Sequence, residues 1–204
     1  MSPDDILDFW FPPGLDADED THRRQYEWWF RGGADAAILA RFRPVLEAAC
    51  RGELDPWADT PRGRLALIIV LDQFPRTVWR DTPQAYAQDF SAQHLTLEGL
   101  ACGHYDQLRA VWEKTFFALP LGHAEELALL ERCVALCEAL VTEAPPHLQA
   151  LYRFSASQAR GHRDVVARFG RQPHRNAILG RTSTEEELAY LAAGEFVHRR
   201  SFEG

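Results

Sequence analysis

The segment 168–181 carries the densest group of side chains able to bind an anion. It combines arginine, histidine and asparagine with glycine and proline: Arg168, Gly170, Arg171, Pro173, His174, Arg175, Asn176, Gly180 and Arg181. No carboxylate lies between Asp164 and Glu185 to balance its charge. Glycine and proline prevent one continuous helix here. We expect this basic segment to be either an anion-binding surface or a tightly hydrogen-bonded structural loop.

A carboxylate and an amide directly follow the most apolar run of the chain, residues 65–71. Asp72 and Gln73 are poorly solvated at such a position, and a buried carboxylate needs a charged partner or several donors. Arg76 lies four residues further on and can pair with Asp72 if the helix persists. The basic segment offers further partners. A structural ion pair is favoured here over a catalytic acid.

A histidine and a glutamate lie where residues 116–126 join an apolar helix end to a charged helix start. Glu125 is expected in the first turn of the second helix, where the helix dipole favours negative charge. His123 has no comparable explanation and is a candidate cap, ligand or proton-transfer residue. His162 lies on the apolar stripe of a predicted long helix, where one internal hydrogen bond usually satisfies a lone histidine.

The familiar catalytic and cofactor motifs are missing from the sequence. It contains no Gly-x-Ser-x-Gly elbow, no Gly-x-x-x-x-Gly-Lys phosphate loop and no Gly-x-Gly-x-x-Gly fingerprint. A metal site would need His123, His162, His174 and a carboxylate to converge without any known ligand spacing. The four cysteines form no Cys-x-x-Cys pair and are expected to be small buried side chains. We therefore predict no metal and no cofactor.

Composition and charge exclude several classes of protein. The chain has 204 residues, 46% of them hydrophobic, and a net charge of −8. An acidic balance argues against general nucleic-acid binding, and no apolar run approaches the roughly 20 residues that span a membrane. The N-terminal residues 1–5 are acidic, which is unlike a signal peptide. We expect one cytoplasmic domain over residues 1–204.

Capping residues, glycines and prolines predict an all-α chain of eight or nine helices with short connections. The apolar run 65–71 also fits a buried strand, but no strand partner is evident, so we interpret it as a central helix that kinks or stops near Pro75. Consecutive helices joined by short turns should form antiparallel hairpins. The expected helices cover residues 2–11, 20–30, 34–51, the central run, 83–98, 105–118, 123–142, 146–169 and 184–194.

Two aromatic triplets lie near predicted helix ends, at residues 9–11 and 28–30. Packing of two N-terminal helices against the main body is the favoured explanation, because aromatic side chains bury large areas. An aromatic-lined groove is the alternative.

These segments resemble a bacterial family known as domain of unknown function 924. The resemblance is carried by Phe9-Trp10-Phe11, Trp28-Trp29-Phe30, Leu71 to Arg76, Phe116 to Glu125, and Arg168 to Glu187. It implies an all-α, tetratricopeptide-like fold of stacked helical hairpins and no particular reaction. The chain departs from the family pattern at four positions: Thr77, Ala118, Ala124 and Gln172.

Two functions of different classes follow from these residues. The first is the binding of a small anionic ligand in a polar pocket, and this function leaves an enzymatic role open. The second is a tetratricopeptide-like scaffold for a protein partner, with Trp28 or Trp29 on an exposed concave surface and the basic segment as an internal staple only. The predicted pocket residues are Asp72, Gln73, Arg76, His123, Glu125, His162, Arg171, His174, Arg175, Asn176 and Arg181; three of them, Arg171, Arg175 and Arg181, form the expected anion clamp.

Overall fold

The computed structural model describes residues 1–194 together with Phe196, Val197 and Phe202. All regular secondary structure in this part of the chain is helical, which confirms the all-α prediction. No helix in it is long and apolar enough to cross a membrane. Helices α1 to α11 span Pro3–Trp10, Glu19–Phe30, Asp35–Ala37, Arg43–Cys50, Pro61–Asp72, Phe74–Val78, Asp89–Ala101, Val111–Gly122, Leu127–Glu143, Gln149–Phe169 and Glu185–Ala193.

Shorter helical turns complete the architecture. A π-helical turn, Ile38–Phe42, joins α3 to α4, so the third predicted helix is continuous but locally underwound. Five 3-10 turns lie between the α-helices, at Asp55–Asp59, Pro83–Tyr86, Tyr105–Gln107, Pro146–Leu148 and Pro173–Arg175.

The starts of the first and last helices follow from capping chemistry. The Ser2 hydroxyl accepts from the Asp5 amide, and the Asp5 carboxylate accepts from the Ser2 amide at 2.7 Å. Thr184 and Glu187 form the same reciprocal box at the start of α11. Each box satisfies amides that the first helical turn leaves without partners. Both predicted starts are confirmed.

Helix α5 is the centre of the fold. Thr60 caps it, Pro61 occupies its first position, and every residue from Gly63 to Asp72 is buried. Helices α1, α4, α7 and α8 pack around it. A helix that is apolar on all sides must be covered on all sides, which explains a run that sequence periodicity alone does not distinguish from a strand.

Two prolines affect their helices differently. As predicted, the chain breaks near Pro75: α5 ends at Asp72 and α6 starts at Phe74. The helix end expected at residue 118 is wrong, because α8 continues through Pro120 to Gly122. Proline in a last turn removes a single helical hydrogen bond, and the burial of Pro120 and Leu121 offsets that loss. The next helix therefore begins at Leu127 rather than at residue 123.

Each aromatic triplet places one tryptophan in the core, Trp10 or Trp29, and packs its half-buried members against the core. Trp10 is buried, and its carbonyl accepts a hydrogen bond from Trp29 Nε1 at 2.8 Å. Trp28 contacts the rings of Phe9 and Trp10. The expectation that Trp28 or Trp29 lies on an exposed concave surface is therefore wrong, because these rings join α1 and α2 to the body of the protein. Phe30 is the exposed member, at 37%.

The C-terminal half forms two successive hairpins. Helix α9 packs along α8 on one side and along α10 on the other. Helix α10 ends at Gly170, whose φ of +70° is a left-handed conformation that favours glycine. This turn directs the basic segment back across the loop between α8 and α9. A tetratricopeptide-like stacking of these hairpins stays a prediction.

The central position of α5 predicts a large stability loss on truncation. Leu67 is 1% exposed, so Leu67→Ala leaves a cavity and should lower the free energy of unfolding by about 2–5 kcal/mol. Leu188→Ala is the matched control, because Leu188 is 55% exposed on α11 and should change stability by less than about 0.5 kcal/mol. Urea unfolding measures both. Equal effects would contradict the central role of α5.

Candidate functional site

Segments distant in sequence meet at the end of the central helix. The carboxylate of Asp72 is 1% exposed and lies 2.7 Å from Nδ1 of His123, in the loop between α8 and α9. Gln73 donates its side-chain amide to the same carboxylate. Arg76 reaches back from α6, donating to the Asp72 carbonyl at 2.6 Å and lying 3.7 Å from its carboxylate. The predicted group of Asp72, Gln73 and Arg76 is thus assembled with His123.

The electrostatics of Asp72 fix the orientation of the histidine. Burial alone would raise the pKa of Asp72, but the charges of His123 and Arg76, together with the donated hydrogen bonds, lower it to about 2. An ionised carboxylate only accepts hydrogen bonds, so Nδ1 of His123 carries the proton and donates it. The Nε2 atom is then the ring nitrogen available to a ligand.

A second carboxylate, Asp89, bridges two arginines. It lies in the first turn of α7, 2.9 Å from Nη2 of Arg76 and 3.2 Å from Nη1 of Arg175. The Tyr86 ring lies beside both guanidinium groups, 4.7 Å from that of Arg175 and 5.8 Å from that of Arg76. Burial, and then the nearby charge of Arg76, lower the pKa of Arg175. Asp89 therefore connects the basic segment to the end of α5.

Sequence reasoning missed Asp89 and Tyr86. One helix was expected over residues 83–98, which would place Asp89 in its interior. The chain instead makes the 3-10 turn Pro83–Tyr86 and starts α7 at Asp89. The proline-initiated turn was visible in the sequence, but its end was not.

Glu125 is the anchor for the other end of the basic segment. Its carboxylate accepts from both terminal nitrogens of Arg181, at 2.6 Å and 3.0 Å, and from the Gln172 amide at 2.8 Å. Burial would raise the pKa of Glu125, but these contacts lower it. Glu125 lies before α9 rather than in its first turn, so the expected helix-dipole explanation is wrong. The reason is that α8 extends to Gly122 and delays the next helix.

A separate cluster holds the basic segment to α11. Arg171 donates to both oxygens of Glu187, at 2.6 Å and 2.7 Å. The Asn176 amide reaches the same carboxylate at 3.2 Å and the Ser183 hydroxyl at 2.9 Å. Hydrogen bonds from Arg171, Thr184 and Asn176 contribute to lowering the pKa of Glu187 to about 2. Arg171 and Asn176 are therefore committed to this cluster.

The three arginines of the expected clamp do not point at one place. Arg171 is held by Glu187 and Arg181 by Glu125, while Arg175 pairs with Asp89. Only Arg175 of the three lines the surface depression described next. His174 lies near Phe196, with ring centroids 6.4 Å apart, and does not line that depression.

An open depression of about 340 Å³ lies over this network. His123, Glu125, Asp89 and Arg175 supply its polar wall, and the rings of Tyr86 and Phe90 lie beside them. Phe90 is 79% exposed. The depression and its ion pairs form what we call the charged site.

His123 also borders a second space. A cavity of about 240 Å³ between α8, α9 and α10 is lined by His123, His162, Cys133 and Cys137. The predicted residue His162 thus shares a wall with His123 rather than with the arginines. A hydrogen bond with Cys137 and burial raise the pKa of the Cys133 thiol, so that thiol is uncharged. No group of three potential metal-binding side chains was found among the described residues.

Comparison with other proteins assigns the family. A family model described as "Bacterial protein of unknown function (DUF924)" matches residues 6–195. The chain belongs to this family. In this DUF924 chain, three of the five segments that carried the resemblance, Leu71 to Arg76, Phe116 to Glu125 and Arg168 to Glu187, supply the charged site and the Arg171–Glu187 cluster.

A solved structure is similar over nearly the whole chain. It is that of a protein of unknown function, ATU0120, from Agrobacterium tumefaciens, with 37% identity and a TM-score of 0.74. The similarity covers 94% of this chain and 97% of the other. No match was found among curated proteins.

The lowered pKa of Asp72 predicts a specific acid sensitivity. The pKa of Asp72 is ordinarily 3.8 and is about 2 in the folded protein, so the ionised carboxylate stabilises the fold at pH values above 3.8. This contribution, about 2 kcal/mol, is lost as the pH falls towards 2. The difference in unfolding free energy between wild type and Asp72→Asn should therefore narrow by about that amount between pH 5 and pH 2. A difference in unfolding free energy that stays constant over this pH range, measured by urea unfolding, would contradict the prediction. The control is Asp106→Asn, at an exposed position.

Two ion pairs of the basic segment allow a matched comparison. Glu187 is 2% exposed, so Arg171→Gln leaves a buried carboxylate short of its charged partner and should cost about 3 kcal/mol. Arg168 pairs with Glu186 in the open, at 57% and 61% exposure, so Arg168→Gln should cost less than about 1 kcal/mol. Denaturant unfolding of both variants measures the two losses of stability. Similar losses would show that the Arg171–Glu187 pair contributes no more to stability than an exposed ion pair.

Proposed function

We propose that this DUF924 protein binds a small anionic ligand at the charged site and that Nε2 of His123 contacts this ligand. The observation that carries the proposal is the 2.7 Å contact between Asp72 and Nδ1 of His123. It uses one ring nitrogen internally and leaves Nε2 for the ligand. The second contact proposed for the anion is Arg175, which shares the wall of the depression with His123.

A count of charges is compatible with an anionic ligand. The paired groups of the site are three carboxylates, Asp72, Asp89 and Glu125, and three guanidinium groups, Arg76, Arg175 and Arg181. Their formal charges cancel. The paired groups therefore leave no excess negative charge that would repel an anion.

The shape of the site supports a small molecule. A depression of about 340 Å³ lies at the lower end of the range for small-ligand pockets. A carboxylate or a phosphate monoester on a compact metabolite fits these limits.

The same geometry suits proton transfer. A histidine held by a buried carboxylate keeps one tautomer and is stabilised when it becomes positively charged. An enzymatic role would therefore use Nε2 of His123, with Asp72 orienting the ring. The described residues offer no activated thiol beside it, since Cys133 is uncharged.

The scaffold function is the second candidate, and less of the structure supports it. Its proposed aromatic surface is used for internal packing by Trp28 and Trp29. Phe90 is a substitute anchor for a protein partner, because its ring is exposed beside the charged site. A tetratricopeptide-like stacking of the hairpins belongs to this candidate.

For the compartment, we propose the cytoplasm. All four cysteines are free thiols, including Cys133 and Cys137, whose sulfurs lie 4.0 Å apart. Unpaired neighbouring thiols suit a reducing environment.

A ligand screen tests the proposal. A thermal-shift screen of carboxylate and phosphate metabolites identifies a ligand, and calorimetry then measures its affinity for the wild-type protein. The midpoint of thermal unfolding should rise as the concentration of this ligand is increased.

Variants identify the residue that contacts the ligand. His123→Gln keeps an amide donor for Asp72 but removes the imidazole ring that is proposed to contact the anion, so affinity should drop. His94→Gln is the matched control and should keep the affinity, because His94 is exposed on α7, outside the depression. Binding that His123→Gln leaves intact would overturn the proposal, as would a screen in which no anion binds.

A further inference from the structure

The cavity of about 240 Å³ between α8, α9 and α10 has a wall of one charge sign. Three of its wall residues can carry a positive charge: Arg31, His123 and His162. No aspartate or glutamate of the described part of the chain lines it. We call this space the α8–α10 cavity. Its polar groups therefore favour an anion over a neutral or cationic ligand.

One end of the cavity is aromatic. Four of its wall residues also line a narrow cleft among the rings of the N-terminal core: Tyr26, Phe30, Thr115 and Ser155. Phe30 is 37% exposed, and its ring stacks on Phe116 with the centroids 5.7 Å apart. Burial raises the pKa of the Tyr26 phenol, which stays uncharged. This end suits the apolar body of a ligand.

Helix register places both histidines at the opposite end. Helices α8 and α10 point the same way, because each forms a hairpin with α9. Thr115 on α8 and Tyr152 on α10 both line the aromatic cleft. From that level His123 is eight residues further along the chain and His162 ten, which at 1.5 Å per helical residue is roughly 12 Å and 15 Å. The two imidazoles therefore lie away from the cleft.

Arg31 belongs to the same end as the histidines. Helix α2 passes α10 in the same direction, because His22 contacts Tyr152 and, one turn later, Tyr26 contacts Phe154. Arg31 directly follows α2, nine residues after His22, and is exposed. Its guanidinium therefore lies on the open side of the cavity. The wall is thus divided into an aromatic end and a basic end.

The basic end can hold a carboxylate. Positive charge in a cleft with apolar walls concentrates anions, and guanidinium matches the geometry of a carboxylate. Arg31 and His162 also interact with other groups of the protein. A guanidinium has five N–H donors, however, so one existing contact still leaves donors for a ligand. Neither residue lines the charged site, so this binding does not require Arg175.

Volume limits the apolar body to about one ring. A cavity of roughly 150 Å³ lined by aliphatic and aromatic side chains accommodates benzene in another protein. The α8–α10 cavity, at about 240 Å³, has room for one ring and a short chain that carries the acid. Small residues maintain this room, since Ser155 and Ala159 lie four residues apart on one face of α10 and both line it.

We propose that the α8–α10 cavity binds an amphipathic monocarboxylate, with its apolar body at the aromatic end and its carboxylate at the basic end. Tyr26 and Phe30 contact the body, while Arg31 and His162 donate to the carboxylate. This site is additional to the charged site. A compact anion without an apolar body lacks half of the contacts that the α8–α10 cavity offers.

Three related probes separate the contribution of the charge from that of the ring. Phenylacetate carries both, phenylacetamide keeps the ring and nearly the same shape without the charge, and acetate keeps the charge without the ring. Calorimetry on the wild-type protein at neutral pH should show phenylacetate binding roughly tenfold or more tightly than either of the others. Equal affinities for phenylacetate and phenylacetamide would contradict the basic end.

A charge variant tests the basic end. Arg31→Gln should weaken phenylacetate binding roughly tenfold, as expected for the loss of a hydrogen bond between charged groups, and should leave phenylacetamide binding unchanged. Arg24→Gln is the matched control, because Arg24 is exposed on α2 and does not line the cavity. A preference for phenylacetate over phenylacetamide that survives Arg31→Gln would overturn the proposal.

Two leucine variants test the location. Ser155→Leu fills the aromatic end and should abolish phenylacetate binding, whereas Ser157→Leu, on another face of α10, should not. Ala87→Leu narrows the charged site from an exposed position and does not touch the cavity, so it should leave phenylacetate binding intact. Loss of binding in Ala87→Leu but not in Ser155→Leu would place phenylacetate at the charged site and refute the proposal.

The two sites can fail separately. Absence of phenylacetate binding to wild type rules out the α8–α10 site, whatever the screen of compact anions finds at the charged site. Circular dichroism and the unfolding midpoint of each variant show that lost binding is not lost folding. If Ser155→Leu does not fold, the comparison of Arg31→Gln with Arg24→Gln still decides.

Discussion

The buried carboxylate of Asp72 is the constraint on which this structure depends. The central helix α5 is apolar on every side and ends in a charge that water cannot reach. An isolated charge there would cost several kcal/mol, so the chain must supply counter-charges. His123 and Arg76 meet that requirement, and Arg76 in turn needs Asp89. Asp89 then holds Arg175, which ties the C-terminal basic segment to the core.

The ion-pair network has two roles that use different arginines. Arg171 and Arg181 each grip one glutamate through two nitrogens, which fixes the path of the basic segment. Arg175 shares its carboxylate with Arg76 and also borders open space. A guanidinium whose N–H groups are not all paired can donate a hydrogen bond to a ligand, whereas one that already donates to both oxygens of a carboxylate has fewer N–H groups left. The structural ion pairs and the proposed ligand site are therefore neighbours, and one does not exclude the other.

Local chemistry in the sequence predicted much of the fold and part of the site. Caps at Ser2 and Thr184 and the stop near Pro75 were predictable, because each depends on a few neighbouring residues. The run before Asp72 was interpreted correctly as a helix because no strand partner was evident, not because of its own pattern. Pro120 was misjudged because packing of the last turn of α8, a tertiary effect, outweighs one missing hydrogen bond. Asp89 was missed for a related reason. An aspartate fits an exposed position on a surface helix as well as a buried bridge between two arginines, and only the tertiary contacts tell which of the two it occupies.

The position of His123 between the two cavities also constrains how they can work. Its imidazole lines both the charged site and the cavity between α8, α9 and α10, and its Nδ1 donates to Asp72. Only Nε2 of the ring is then left for a ligand, and that atom cannot bind ligands on both sides at once. A ligand that binds Nε2 from one side therefore weakens any contact with it from the other. By linkage, the effect must be equal in both directions.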